Sequence, residues 1–212
     1  MRFDYENKED RGFYKLAVPL IKAFANSQFK INCIGKENIP KEKGRLIIAC
    51  NHISFADPAA IISSFPYSVH FMAKSELFEN PLTAFLVTNL NAFPVKRGLS
   101  DRNAIKYACD ILNQDKILGI FPEGRRVRSA IPEKAKRGVA LIARRTEADV
   151  LPVCLYLDPK EDVFRPRLTV RYGRVLKNEK LFKNENSLDK AAECIMNNIE
   201  KLWECGHGNS CC

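Results

Sequence analysis

His52 and Asp57 stand out as a pair able to do acid–base work, in the run Asn51-His52-Ile53-Ser54-Phe55-Ala56-Asp57-Pro58. A carboxylate that accepts one imidazole N–H fixes the ring's tautomer and leaves the other nitrogen as a general base. Spacing alone is poor evidence. With 3 His and ten Asp in 212 positions, some His has an Asp five residues on with a chance of about one in seven. On a continuous helix that offset would turn the two side chains roughly 140° apart, so the chain must turn between them. Asp57-Pro58 offers the turn, because Asp is a favoured helix N-cap and Pro a favoured first helical residue. A cap is also the purely structural reading of Asp57. The two roles coexist if one carboxylate oxygen takes a helix N–H and the other the His52 ring.

Cations gather in three further places. Ile120-Phe121-Pro122-Glu123-Gly124-Arg125-Arg126-Val127-Arg128 follows an apolar run, with a glycine that lets the backbone approach a ligand and three arginines suited to an anion. Phe93-Pro94-Val95-Lys96-Arg97-Gly98 also ends in cations and glycine, and Lys136-Arg137-Gly138 opens a helical pattern whose N-terminal amides favour phosphate. Singly, each reads as a solvated edge. Together, around one His/Asp pair, they describe a phosphate-bearing substrate held beside a base. The sequence has no Gly-x-Ser-x-Gly elbow and no Cys in a comparable setting, so direct attack by a substrate group activated by His52 is simpler than a covalent enzyme intermediate.

These groups need elements to position them. Lys30–Ile34, Arg45–Cys50, Val69–Met72, Ala92–Val95, Ile117–Phe121, Val150–Tyr156 and Leu168–Val175 read as strands, rich in β-branched and apolar residues. Asp57–Ser64, Glu76–Leu90, Asp101–Asn113, Ala135–Thr146 and Leu188–Trp203 read as helices between and after them. The alternation predicts an α/β single-domain sandwich with a largely parallel central sheet flanked by helices. The His52 and Glu123 segments then fall at strand ends, where such folds place their sites. An N-terminal amphipathic helical segment is expected within 1–27, a main domain carrying the His/Asp pair over 28–204 and a flexible tail over 205–212. In the first of these, Phe13, Leu16, Ala17, Leu20, Ile21 and Phe24 repeat on one helical face. That face either packs on the sheet or lies on anionic lipid, and Pro19 is placed to bend it.

Composition narrows the classes. At 46% apolar and 28% charged, a chain of 212 residues has the material for a core and is not disordered. No run approaches the ~18 to 20 apolar residues of a membrane span. Asp4, Glu6, Glu9 and Asp10 are wrong for a signal peptide, so a place inside the cell is expected. The eight cysteines include Cys33, Cys50, Cys109 and Cys154 within apolar or mixed runs, which reads as reduced thiols. The tail Cys205-Gly-His207-Gly-Asn-Ser-Cys211-Cys212 matches no structural zinc spacing, and no metal is expected. The net charge of +9 faces an anionic partner or serves solubility. A basic lipid-surface or nucleic-acid binding module is the non-enzymatic alternative, but no nucleic-acid motif accompanies the charge and no nucleic acid is expected.

Asn51-His52-x-Ser54-x-x-Asp57, the Arg97 strand end, Phe121-Pro122-Glu123-Gly124 and Val150-Leu151-Pro152-Val153, in that order, resemble the four sequence blocks of the glycerolipid acyltransferases, of the lysophosphatidic acid type. The resemblance runs from about Asn32 to Leu155. It implies transfer of a fatty acyl group from acyl-CoA or acyl carrier protein, as co-substrate with no other cofactor, to the free hydroxyl of 1-acylglycerol-3-phosphate in phospholipid synthesis. Glycerol-3-phosphate or another lysolipid is the alternative acceptor. It also implies His52 as base with Asp57 as its partner, and Arg97, Glu123, Gly124 and Arg126 as the hold on the acceptor's phosphate and hydroxyl. Arg125, Lys96 and Lys136 join these as candidate substrate contacts. The family's third block usually continues Thr-Arg-Ser where this chain has Arg125-Arg126-Val127, an added guanidinium in place of a hydroxyl. A long-chain acceptor further implies a peripheral position on an anionic membrane surface, at its inner, cytoplasmic face.

Overall fold

The computed structural model describes residues 3, 13–96, 101–127, 131–157, 164–183 and 187–207. Seven strands form one sheet: β1 (Lys30–Ile34), β2 (Leu46–Cys50), β3 (Val69–Lys74), β4 (Ala92–Val95), β5 (Ile117–Ile120), β6 (Asp149–Leu157) and β7 (Arg167–Tyr172). Their order is β1-β7-β6-β2-β5-β3-β4. Every neighbouring pair is parallel except β6–β7, so β1 and β7 run against the other five. The helices are α1 (Phe13–Gln28), α2 (Asp57–Ser64), α3 (Pro81–Asn89), α4 (Arg102–Asn113), α5 (Gly138–Thr146), the single turn α6 (Asn178–Leu181) and α7 (Leu188–Glu204).

Leu46-Ile47-Ile48-Ala49-Cys50 is apolar throughout because β2 lies mid-sheet with both faces covered. Its alternate residues serve two cores. Ile47 and Ala49 pack with α4, α5 and α7 on one face, and Leu46, Ile48 and Cys50 with α1 and α2 on the other. Ile47 and Ile48 have no exposed surface, and burying each contributes roughly 1.5–3 kcal/mol.

Three helix expectations need correction. Glu76–Leu90 is not one helix: a 3₁₀ turn over Ser75–Phe78 is followed by α3, because the Asn80 carboxamide accepts the Leu82 and Thr83 amides and Pro81 starts a new helix. Ala135–Thr146 is helical only from Gly138. In α1 the apolar residues do not share one face. Tyr14, Ala17, Ile21 and Ala25 are buried, whereas Leu16, Leu20 and Phe24 are exposed, at 71%, 70% and 47%. The helix is continuous through Pro19 and to Gln28, one residue past the expected boundary. The seventh strand stops at Tyr172 rather than Val175, and the C-terminal stretch Cys205–His207 continues α7 as a 3₁₀ turn, with Cys205 disulfide-bonded. Cys33, Cys50, Cys109 and Cys154 are free thiols.

Candidate active site

The parallel strands β2 to β6 deliver their C-terminal ends to one edge, and the chain leaves β2 there into Asn51-His52. The Asn51 side chain takes over where the ladder stops. Its Oδ1 accepts the Leu155 N–H at 2.8 Å and its Nδ2 donates to the Leu155 carbonyl at 3.0 Å. The main chain is thereby released from β6 and turns out of the sheet.

His52 Nδ1 lies 2.7 Å from Asp57 Oδ2. That same oxygen accepts the Ile53 N–H at 2.7 Å and the Ser54 N–H at 2.8 Å. The expectation that Asp57 caps the helix and divides its oxygens is corrected: Ala56 occupies the cap position, Asp57 is the first residue of α2, and its carboxylate reaches back over the preceding loop. Asp57 Oδ1 is buried without a hydrogen-bond partner. The pair is tightly enclosed, with side-chain exposures of 9% for His52 and 0% for Asp57.

The loop after β5 grips His52 from the other side. Phe121 stacks on the imidazole, ring centroids 4.1 Å apart at 20°, and Phe71 of β3 stacks behind Phe121 at 6.0 Å. Phe71 pairs with Gly119 across the β3–β5 ladder, and a Cβ on Gly119 would come within 2.3 Å of the Phe71 ring. Glu123 Oε2 accepts the His52 N–H at 2.8 Å, Oε1 accepts the Glu133 N–H at 3.0 Å, and the Val127 N–H donates to the His52 carbonyl at 2.7 Å. Burial pushes the Glu123 carboxyl up to about 7, against the two amide bonds that favour its anion. Gly124, with φ of +69°, makes the turn between these bonds, and Lys136 lies over it.

The cations expected at the site are distributed unequally. Arg125 is held by Glu133 at 2.6 Å, while Arg126 beside it and Lys136 are exposed. Arg137 pairs with Asp189 of α7. Lys96 is exposed at the end of β4, three strands and so roughly 14 Å across the edge from β2. Arg97 lies outside the described residues. Among the described residues no group of His, Cys, Asp and Glu is placed to hold a metal ion. Cys50, next to the site in sequence, is buried with its thiol pushed well above the usual range, the reverse of an activated nucleophile.

Asn51, Phe71, Phe121 and Gly119 were not among the expected site residues. Gly119 carried a usable signal, since a lone glycine in an apolar strand marks a close approach. Asn51 stands in the first of the four blocks, but its role could not be read there, because its bond partner is 104 residues away.

Residues 30–156 match the family model described as Acyltransferase. The chain is 33% identical to the 1-acyl-sn-glycerol-3-phosphate acyltransferase of Bacillus subtilis over 66% of its length and 69% of the relative's. It is 29% identical to the enzyme of the same name from Streptococcus pneumoniae, over 79% of this chain and 64% of that one. A crystal structure of the 1-acyl-sn-glycerophosphate (LPA) acyltransferase PlsC of Thermotoga maritima superposes with a TM-score of 0.72, covering 94% of this chain and 83% of that chain at 22% identity. Because the family model spans well over half of the chain and includes the His52–Asp57 pair and the loop that grips it, the chain belongs to the Acyltransferase family.

Proposed function

We propose that the protein moves a fatty acyl group from a thioester, acyl-CoA or acyl carrier protein, to the free hydroxyl of 1-acylglycerol-3-phosphate, giving phosphatidic acid. The observation that carries this reading is the 2.7 Å contact of His52 Nδ1 with Asp57 Oδ2 at an edge bearing exposed cations. The names of the relatives supply the acceptor. With Nδ1–H donated to Asp57, Nε2 is the basic nitrogen. It takes the acceptor's hydroxyl proton as the oxygen attacks the thioester carbonyl carbon. The tetrahedral oxyanion collapses, the C–S bond breaks, and the imidazolium returns its proton to the departing thiolate. Arg126, Lys136 and Arg97 supply charge for the acceptor phosphate, with the Gly124 turn admitting it. Arg125 joins only by leaving Glu133, and Lys96 marks the outer rim.

A long-chain acceptor resides in a bilayer, and among the described residues no helix is long and apolar enough to cross one. Leu16, Leu20 and Phe24 of α1 and Leu82, Phe85 and Leu86 of α3 are exposed on two helices that touch each other, and Phe55 in the His52–Asp57 loop is exposed as well. They support docking on the membrane surface by insertion, with the net charge of +9 adding attraction to anionic lipid, about 1 kcal/mol for each Lys or Arg that reaches it.

The test offers purified protein both donors and a panel of acceptors. Phosphatidic acid from 1-acylglycerol-3-phosphate supports the proposal, and product from glycerol-3-phosphate or another lysolipid alone reassigns the acceptor. His52→Ala should lower kcat by about 10²- to 10⁴-fold with the fold intact. Near-normal turnover in that variant refutes the mechanism.

A further inference from the structure

Both main-chain polar groups of His52 are bonded to the loop after β5: its N–H to Glu123 Oε2 and its carbonyl to the Val127 N–H. The need for these bonds is created by Asn51. Its side chain occupies the Leu155 N–H and carbonyl, which a continued β2–β6 ladder would have offered to the main chain of β2. A buried amide left without an acceptor is costly, and Glu123 is the acceptor that His52 finds. The other oxygen of Glu123 holds the Glu133 amide, and with 4% of the residue exposed the carboxylate faces backbone on both sides. A group meant to meet a diffusing acceptor needs an accessible oxygen. Glu123 instead spans two segments that come together only in the folded chain, 121–127 and 131–136, and ties both to the residue carrying the base.

We propose that Glu123 is a positioning residue, which fixes His52 through its backbone amide and does not contact the acceptor. The inference rests on the acyltransferase reading above, and assigns this glutamate differently from the hold on the acceptor that the family resemblance implies. It predicts how the kinetic constants divide. Loss of the Glu123 bond leaves the His52–Asp57 contact and the cations in place but frees the His52 backbone, and displacement of a catalytic group by about 1 Å costs up to ~100-fold in rate.

The experiment compares Glu123→Gln and Glu123→Ala with the unmodified chain. Steady-state kinetics are measured with 1-acylglycerol-3-phosphate and the active donor, and ¹⁵N NMR follows the imidazole nitrogens, with the His52 signals assigned by their loss in His52→Ala. Positioning gives a kcat lower by about 10- to 100-fold in Glu123→Ala, an acceptor KM within about twofold, a partial rescue by Gln and shifted His52 resonances. A KM raised tenfold or more with kcat and the His52 resonances unchanged would assign Glu123 to the acceptor and overturn the proposal. Unchanged kinetics together with unchanged resonances overturn it equally. Glu123→Gln is close to isosteric, so it carries the test if the alanine variant does not fold. If the unmodified chain transfers no acyl group to any acceptor, the functional reading fails while the NMR comparison still decides whether Glu123 holds His52.

Discussion

Asp57→Asn removes a charge while leaving the size of the side chain almost unchanged, and so separates the two things Asp57 does. Its Oδ2 accepts three N–H groups, from the His52 ring, Ile53 and Ser54, at 2.7, 2.7 and 2.8 Å. Hydrogen bonds to an ionised acceptor contribute roughly 1.5–3 kcal/mol each, and those to a neutral one roughly 0.5–1.5. The difference, about 1 kcal/mol over three bonds, sets a loss of roughly 3 kcal/mol if Asn keeps its oxygen in the same place. Part of this is returned, because Asp57 has no exposed surface and its Oδ1 has no partner, so burying the charge is itself expensive. No cap is forfeited, since Ala56 and not Asp57 holds the cap position. The net cost to folding should be about 1–3 kcal/mol, within what a domain of ordinary stability of about 5–15 kcal/mol survives. Turnover has no such compensation. On the proposed mechanism, loss of the carboxylate leaves the Nδ1–H tautomer unenforced and the imidazolium of the attack step unstabilised, so kcat should fall about 10²- to 10⁴-fold. Urea unfolding monitored by circular dichroism gives the first quantity, and acyl-transfer kinetics at saturating substrate give the second. A folded Asp57→Asn protein with kcat within threefold of normal would refute the base–carboxylate mechanism.

Gly119→Ala should destabilise by about 1–3 kcal/mol and lower kcat, because the new methyl would press the Phe71 ring toward Phe121 and His52; adding Phe71→Leu should restore more stability in urea melts than additivity allows. The Glu123 carboxyl, raised from 4.5 to about 7 by burial with Asp57 and Glu133 nearby, binds its proton more tightly folded than unfolded. Its contribution is full below pH 4.5 and lost as pH rises through 7, amounting to roughly 3 kcal/mol by pH 8. The urea midpoint of Glu123→Gln should lack that part of the slope between pH 5 and 8, and identical slopes would refute it. Leu20→Glu with Phe24→Glu alters exposed positions only, so it should abolish sedimentation with anionic vesicles while activity on a short-chain dispersed acceptor survives. Loss of vesicle binding and of activity on the dispersed acceptor together would refute a separate docking surface.

The division between what the sequence discloses and what it conceals follows contact range. Strands such as Lys30–Ile34 and Ala92–Val95 were legible to the residue, because apolar content and flanking breakers act locally. The His52–Asp57 pair was legible too, since its members are five residues apart and only the turn between them had to be supplied. The assignments that needed correction share a different cause. In α1 the helical period groups the apolar residues on one face, to be claimed whole by the sheet or by lipid, but Tyr14, omitted from that face, is the residue that reaches Val69 at the start of β3. Its burial rotates the helix so that Leu16, Leu20 and Phe24 point outward. Periodicity gives the width of an apolar stripe but not which part the core claims, and a stripe wider than the core can cover leaves a remainder for another apolar medium. Asp57 failed as a cap for a related reason. A carboxylate ahead of Pro58 has two sets of amides within reach, those of α2 and those of Ile53 and Ser54, and the imidazole lies on the side of the second. One oxygen can satisfy the ring and both loop amides together, whereas turning to the helix would abandon the ring. The chemistry of the pair and the conformation of the loop therefore select each other, and any substitution that releases the Ile53–Ser54 turn should act on turnover as well as on stability.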